Sequence, residues 1–210
     1  LRGLNELAAQ GLKTVSSDTL ARRFHLNSAQ IRKDLAYFGE FGVRGVGYYV
    51  ETLRDHLIKI LGLDKEHCVC IIGSGRMGTA LADYYEYSQT NFSVVALFDT
   101  DKTKIGQKVG KAKIYDIKKF ADIVEKEKID VAVIAVPAQF AQSILDLVMS
   151  VGIKAVMNFA PIPLKANEDV KIRTVDLTIS LESLSYFLAQ PAGENGKIVK
   201  PNGKKSRLKK

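Results

Sequence analysis

Two constellations in this sequence have residue types and spacing suited to chemistry. The first is Gly73-Ser74-Gly75-Arg76-Met77-Gly78, which follows an apolar run and opens a helical pattern. In that setting the first glycine makes a tight turn. The second lets backbone approach a pyrophosphate, and the third allows helix and strand to pack closely. The helix start adds unpaired N–H groups and the positive end of its dipole. Asp99 lies 21 residues beyond Gly78, at the end of the next β-branched run. A carboxylate there accepts bonds from the adenine ribose hydroxyls and repels a 2′-phosphate, which favours NAD(H) over NADP(H), although Lys102 and Lys104 stand close by. Val136-Pro137 and Asn158-Phe159-Ala160-Pro161 end two further runs and are expected on the nicotinamide side. Asn158 would bond the carboxamide, with Phe159 and Val136 as an apolar wall.

The second constellation is Gln30, Arg32, Lys33 and Tyr37. These cluster away from Ile31, Leu35 and Phe38, which recur at i, i+4 and i+7 and should pack on the preceding helix. Such a helix suits the major groove, where Gln reads adenine and Lys or Arg reads guanine. Arg44 sits in Phe41-Gly42-Val43-Arg44-Gly45-Val46-Gly47-Tyr48, a compact hairpin that would carry its cation into a narrow minor groove.

The elements that must position these groups fall into two styles. Residues 1–62 read as helix, helix, turn, helix, glycine-rich hairpin, helix: a winged helix-turn-helix. Ser16 or Ser17 caps the second helix and Asn27 or Ser28 the third. A polar linker spans 63–67. Over 68–176, apolar runs at 68–72, 93–98, 131–136 and 154–157 alternate with helical patterns at 77–87, 117–127 and 139–151. That alternation predicts a Rossmann-like parallel sheet, so the fold class is α/β. A last helix at 177–190 has Leu181, Leu184 and Leu188 in phase.

Composition excludes little but locates the charge. Of the net +8, residues 191–210 hold +6, leaving +2 for the other 190 residues. This Gly/Lys/Asn tail is expected to be disordered, so net charge by itself is weak evidence of nucleic-acid binding. No run of about 18 apolar residues exists for a membrane span, no basic-then-apolar leader opens the chain, and the expected compartment is the cytoplasm. Cys68 and Cys70 read as two buried thiols in a strand rather than as a bridge or a metal site.

Taken together, Gln30-Ile31-Arg32-Lys33-Asp34-Leu35, Tyr37-Phe38-Gly39, Arg44-Gly45-Val46-Gly47-Tyr48, the Gly73–Gly78 loop, Ala135-Val136-Pro137-Ala138 and Asn158-Phe159-Ala160-Pro161 resemble the Rex family of bacterial redox-sensing transcriptional repressors, over essentially residues 1–190. The resemblance implies a homodimer that binds palindromic operator double-stranded DNA when NADH is scarce and leaves it when NADH rises. It gives Arg32, Lys33 and Arg44 DNA contacts. It makes Arg2, Tyr84 and Asp176 a coupling between the domains, and the last helix a segment exchanged between subunits. Leu177 is less bulky than the aromatic residue of some relatives, and the basic tail is not expected of the family. An apolar pocket of Val136, Phe159 and Tyr84 would disfavour the charged nicotinamide of NAD⁺.

Two alternatives compete. An NAD-dependent oxidoreductase would need a general acid or base near the nicotinamide. All three histidines, His25, His56 and His67, precede the glycine loop, and the residues after it leave no room for a substrate domain. A CoA-binding module would share the fold, but Asp99 speaks for a dinucleotide.

Overall fold

The computed structural model describes residues 1–87 and 90–189; the expected tail at 191–210 lies outside them, as does Gln190. The chain begins with α1 (Arg2–Ala9), β1 (Thr14–Val15), α2 (Ser17–Phe24), α3 (Ser28–Phe38), β2 (Gly42–Val43), β3 (Gly47–Tyr49) and α4 (Val50–Ile60). Leu4, Leu7, Val15, Leu20, Tyr48, Val50 and Leu53 form its core, with Phe24, Ile31, Leu35 and Leu57 packed around them. β3 pairs with β2 on one side and with β1 on the other, both antiparallel. Thr14–Val15 is too short to be read as a strand from the sequence. It forms because Gly47, at φ +97°, lets β3 approach the Val15 carbonyl, which a Cβ would obstruct.

The second part runs β4 (His67–Ile72), α5 (Arg76–Tyr87), β5 (Phe92–Asp99), β6 (Lys108–Val109), β7 (Ala112–Asp116), α6 (Phe120–Glu127), β8 (Val131–Ile134), α7 (Ala138–Ser150), β9 (Ala155–Asn158), β10 (Lys171–Thr174) and α8 (Leu177–Leu188). The sheet order is β10-β9-β8-β4-β5-β7-β6, parallel throughout except for β6 against β7. Alternate residues of the central strands face opposite layers. Cys70, Ile72, Phe98, Ala132 and Ile134 pack with Phe120 and Leu145 under α6 and α7. Val69, Ile71, Leu97 and Val133 pack with Ala82 under α5. Burial on both faces explains why these strands read as continuous apolar runs.

Both cysteines are free. Cys70 is buried as expected, and burial pushes its thiol up to about 12. Cys68, at the start of β4, is only half-buried.

α8 is exposed along its whole length. Asp176 caps it, its Oδ1 accepting from the amides of Thr178 (2.8 Å) and Ile179 (3.3 Å). None of its residues is buried, and Leu181, Leu184, Tyr186, Phe187 and Leu188 all face water. Among the described residues, no helix is long and apolar enough to cross a membrane.

Candidate functional site

The chain leaves β4 towards β5, and β8 returns on the other flank of β4, so the C-terminal ends of β4 and β8 bound a topological switch point. Open parallel sheets bind ligands at such a point. Gly73 follows β4 at φ +103°, where a side chain is strained and where a Cβ would strike the Ala135 carbonyl after β8. Gly78 sits in the first turn of α5, and a Cβ there would run into the Gly73 carbonyl. Gly75 differs from both, since a Cβ on it would meet nothing within 4 Å. Its backbone faces open space, the place where a pyrophosphate needs a close approach. Arg76 and Met77, in the first turn of α5, are exposed.

A crevice of about 360 Å³ opens beside this loop. Gly73, Gly75, Asp99, Lys104, Val136, Pro137 and Phe140 are among its walls, and Ile72, Phe98 and Ile117 make its apolar floor. Asp99 is the most heavily bonded carboxylate there. Its Oδ2 accepts from the Ser74 amide (3.0 Å), the Ser74 hydroxyl and Lys104 Nζ (3.4 Å). Its Oδ1 accepts from the amides of Thr100 (2.8 Å) and Asp101 (3.0 Å). Burial alone would raise its pKa. The Ser74 and Asp101 hydrogen bonds and the Lys104 charge outweigh that and hold it at about 2. An apolar slot, a glycine loop at a helix N-terminus and an ionised carboxylate at the mouth fit the adenosine and pyrophosphate of a dinucleotide.

The structure divides the remaining residues expected at this site. Val136 and Pro137 line the crevice beside Asp99. Phe159 packs into the cluster on the α5 side of the sheet, the opposite face, and Tyr84 is 67% exposed. Val136 packs instead with the cluster on the α6 and α7 side. Asn158 needs a correction, because it is fully buried and turned inward. Its Oδ1 accepts from the Ala160 amide (2.9 Å), while Nδ2 donates to the carbonyls of Ala160 (2.9 Å) and Ile162 (3.3 Å) and to Thr174 Oγ1 (3.3 Å). It shapes the turn after β9 and has no amide group left to offer a carboxamide. Arg2 borders an apolar groove between α1, α2 and α3, and Asp176 caps α8. Among the described residues, no hydrogen bond or ion pair joins Arg2, Tyr84 and Asp176.

In the N-terminal part, α2 and α3 form the helix-turn-helix. Ser16 caps α2, its hydroxyl accepting from the Thr19 amide (3.0 Å), and Asn27 caps α3, accepting from Ala29 (2.9 Å) and Gln30 (3.1 Å). The turn lacks glycine because His25 takes the left-handed conformation itself, at φ 53° and ψ 43°. Ile31 and Leu35 pack on the core as expected. Phe38 does not; it is exposed and meets the Tyr37 ring edge-on at 5.2 Å.

The polar side chains of α3 separate into held and free groups. Gln30 donates to Asp34 at 2.5 Å. Arg32 donates from Nη1 to the Ser17 hydroxyl at 2.7 Å and lies 3.8 Å from Asp18. Lys33 and Arg44 are exposed, and among the described residues no hydrogen bond or ion pair engages them. Tyr37 projects with 85% of its surface exposed. Arg44 stands at the hairpin tip, where Gly45 adopts φ +82° and the Val46 amide closes the turn on the Val43 carbonyl at 3.0 Å.

The histidines are all used elsewhere. His25 ends α2, His56 Nδ1 meets the Thr52 carbonyl at 2.7 Å, and His67 Nε2 meets the Gly62 carbonyl at 2.9 Å. None lines the crevice.

A winged helix joined to a doubly wound sheet with a dinucleotide-shaped crevice defines a ligand-responsive DNA-binding regulator. Over 188 residues the chain is 46% identical to the redox-sensing transcriptional repressor Rex of Syntrophomonas wolfei, covering 90% of each chain. It belongs to the Rex family of redox-sensing transcriptional repressors. The Rex of Carboxydothermus hydrogenoformans is 43% identical, over 88% of this chain and 89% of that one. Among solved structures it is similar to RSP, a Rex-family repressor, in complex with β-NAD⁺ and operator DNA. The TM-score is 0.85, with 38% identity over 89% of this chain and 86% of that one. The RSP complex with β-NADH gives a TM-score of 0.79, with 37% identity over 89% and 87%. Residues 64–162 also match the family described as the CoA binding domain, and residues 1–36 match a family of DNA-binding protein N-termini. Membership in a family of repressors removes the oxidoreductase alternative.

Proposed function

We propose that this chain works as a homodimer that holds palindromic operator DNA and lets it go when NADH occupies the Gly73–Gly78 crevice. One observation carries the reading: a chain with this crevice and this α3 matches, at a TM-score of 0.85, a repressor solved with both a nicotinamide dinucleotide and operator DNA. The glycine loop and the α5 N-terminus would hold the pyrophosphate, Asp99 the adenine ribose, and Val136 and Pro137 the adenosine wall. Lys33 reads bases in the major groove, and Arg32, oriented by Ser17, stands beside it. Tyr37 holds phosphate and Arg44 enters the minor groove.

The exposed α8 is the segment exchanged between subunits, and the dimer supplies what one chain lacks around Tyr84, Phe159, Arg2 and Asp176. Reduced and oxidised dinucleotide then act through their unequal affinity for two spacings of the α3 helices, since an effector shifts an equilibrium only by that difference. The cytoplasm is the compartment where operator DNA and this cofactor pool meet.

The test is a gel shift on a palindromic operator with NADH and NAD⁺ titrated in competition. NADH is expected to release DNA at concentrations where NAD⁺ does not. Equal release at matched occupancy would sink the sensing mechanism, and release by CoA but not by NADH would sink the choice of ligand.

A further inference from the structure

The Asp99 carboxylate has more donors than it can comfortably hold. Ser74 N, Ser74 Oγ and Lys104 Nζ converge on Oδ2, and Thr100 N and Asp101 N converge on Oδ1. An ionised carboxylate offers about four lone-pair sites. With five donors on it already, it gains a ribose hydroxyl by exchange for one of them, so that its crowding does not grow. The three backbone amides are fixed by the glycine loop and by the turn after β5. Ser74 is buried. Lys104 is the exception, with a flexible stem, a side chain 37% exposed and the longest of the five bonds. A second carboxylate, Asp101, already lies 3.8 Å from its ammonium and can receive it. Lys104 also lines the crevice, whereas Lys102 does not.

We propose that Lys104 is a specificity-determining residue of the dinucleotide site. It yields Oδ2 of Asp99 to the adenine ribose, and the position it yields towards is where a 2′-phosphate would sit. Choice between NAD(H) and NADP(H) is then a contest between one carboxylate and one ammonium, a point charge well suited to phosphate. The carboxylate does not decide it alone. This inference rests on the proposed dinucleotide function of the crevice.

The experiment is fluorescence titration of the full chain with NADH, and with NADPH as displacer. The variants are Lys104→Ala, Lys104→Arg, Asp99→Ser and the double variant Asp99→Ser/Lys104→Ala. Lys104→Ala is expected to raise the NADPH:NADH ratio of Kd values at least tenfold, and Lys104→Arg to restore it. Asp99→Ser is expected to bind NADPH at least tenfold more tightly than the unaltered chain does, a gain that disappears in the double variant. An unchanged ratio in Lys104→Ala, or a gain in Asp99→Ser that persists without Lys104, would overturn the role given to Lys104. Failure of the unaltered chain to bind either dinucleotide would instead overturn the dinucleotide reading on which it rests.

Discussion

Ser74 donates both its amide and its hydroxyl to Oδ2 of Asp99, tying the loop after β4 to the end of β5. The two strands are neighbours in the sheet, but these residues are 25 positions apart in sequence. The lock fixes the position of the Asp99 carboxylate relative to the glycine loop before any dinucleotide enters.

The charge of Asp99 sets a pH signature. Its pKa in the folded chain is held at about 2, below the ordinary carboxylate value. A lowered folded value contributes stability that is present above the unfolded pKa and is lost as pH falls through the folded one. The contribution, on the order of 1–2 kcal/mol once solvent screening is allowed for, is therefore intact at neutral pH and disappears between roughly pH 4 and pH 2. Urea unfolding of the unaltered chain and of Asp99→Asn is expected to differ at pH 7 and to converge towards pH 2. A constant difference across that range would show that the carboxylate charge is not responsible.

Gly78→Ala tests the loop by sterics alone. The added methyl would meet the Gly73 carbonyl, a backbone atom that cannot swing aside. NADH binding is expected to weaken at least tenfold, by fluorescence titration, while operator binding without dinucleotide stays within about threefold. Gly75→Ala adds a methyl to open space and is expected to keep the fold, as circular dichroism would report.

Lys33 on α3 and Arg44 at the hairpin tip, whose side chains no bond engages among the described residues, are the proposed DNA contacts. Lys33→Ala is expected to cost about 1–3 kcal/mol of operator affinity and to relax discrimination at one base pair of each half-site. Arg44→Ala is expected to lower affinity and to flatten the dependence of log K on log salt, by about one unit for each phosphate that is no longer neutralised. Fluorescence anisotropy at several salt concentrations distinguishes the two effects.

Asn158→Ala separates structure from ligand binding. The substitution strands the buried Ala160 amide and removes the hydrogen bonds that Nδ2 donates, which should cost about 1–3 kcal/mol in denaturant unfolding. If Asn158 touched the dinucleotide instead, NADH affinity would fall far more than stability.

The sequence makes some of this legible and hides the rest for physical reasons. The glycine loop and Asp99 can be read because their geometry is local to one strand–turn–helix and the strand beside it. β4, β5, β8 and β9 can be read because burial on both faces makes them mostly apolar, whereas β7 cannot, because exposed Lys113 separates its buried Ala112 and Ile114. β10 cannot, since as an edge strand it alternates Lys171 and Arg173 with half-buried Ile172 and reads as a polar loop. β8 is shorter than its apolar run because Val136 leaves the ladder for the crevice ahead of Pro137. Asn158 misleads because part of its bonding goes to Thr174, 16 residues away, which no local pattern reveals. Phe38 has the right spacing to pack inward, but it is the last residue of α3 and its ring meets Tyr37 at the exposed helix end.

A twelve-residue helix with seven large apolar side chains in water has little to hold it in isolation. With α8 as the exchanged segment proposed above, and synthesised after every other described element, each new subunit would leave the ribosome with this segment unprotected against proteases and aggregation until it meets another. Mass action then couples its survival to how much of it is already present. Expression level thus becomes a second input beside the redox poise, and modest changes in gene dosage would alter how much repressor persists.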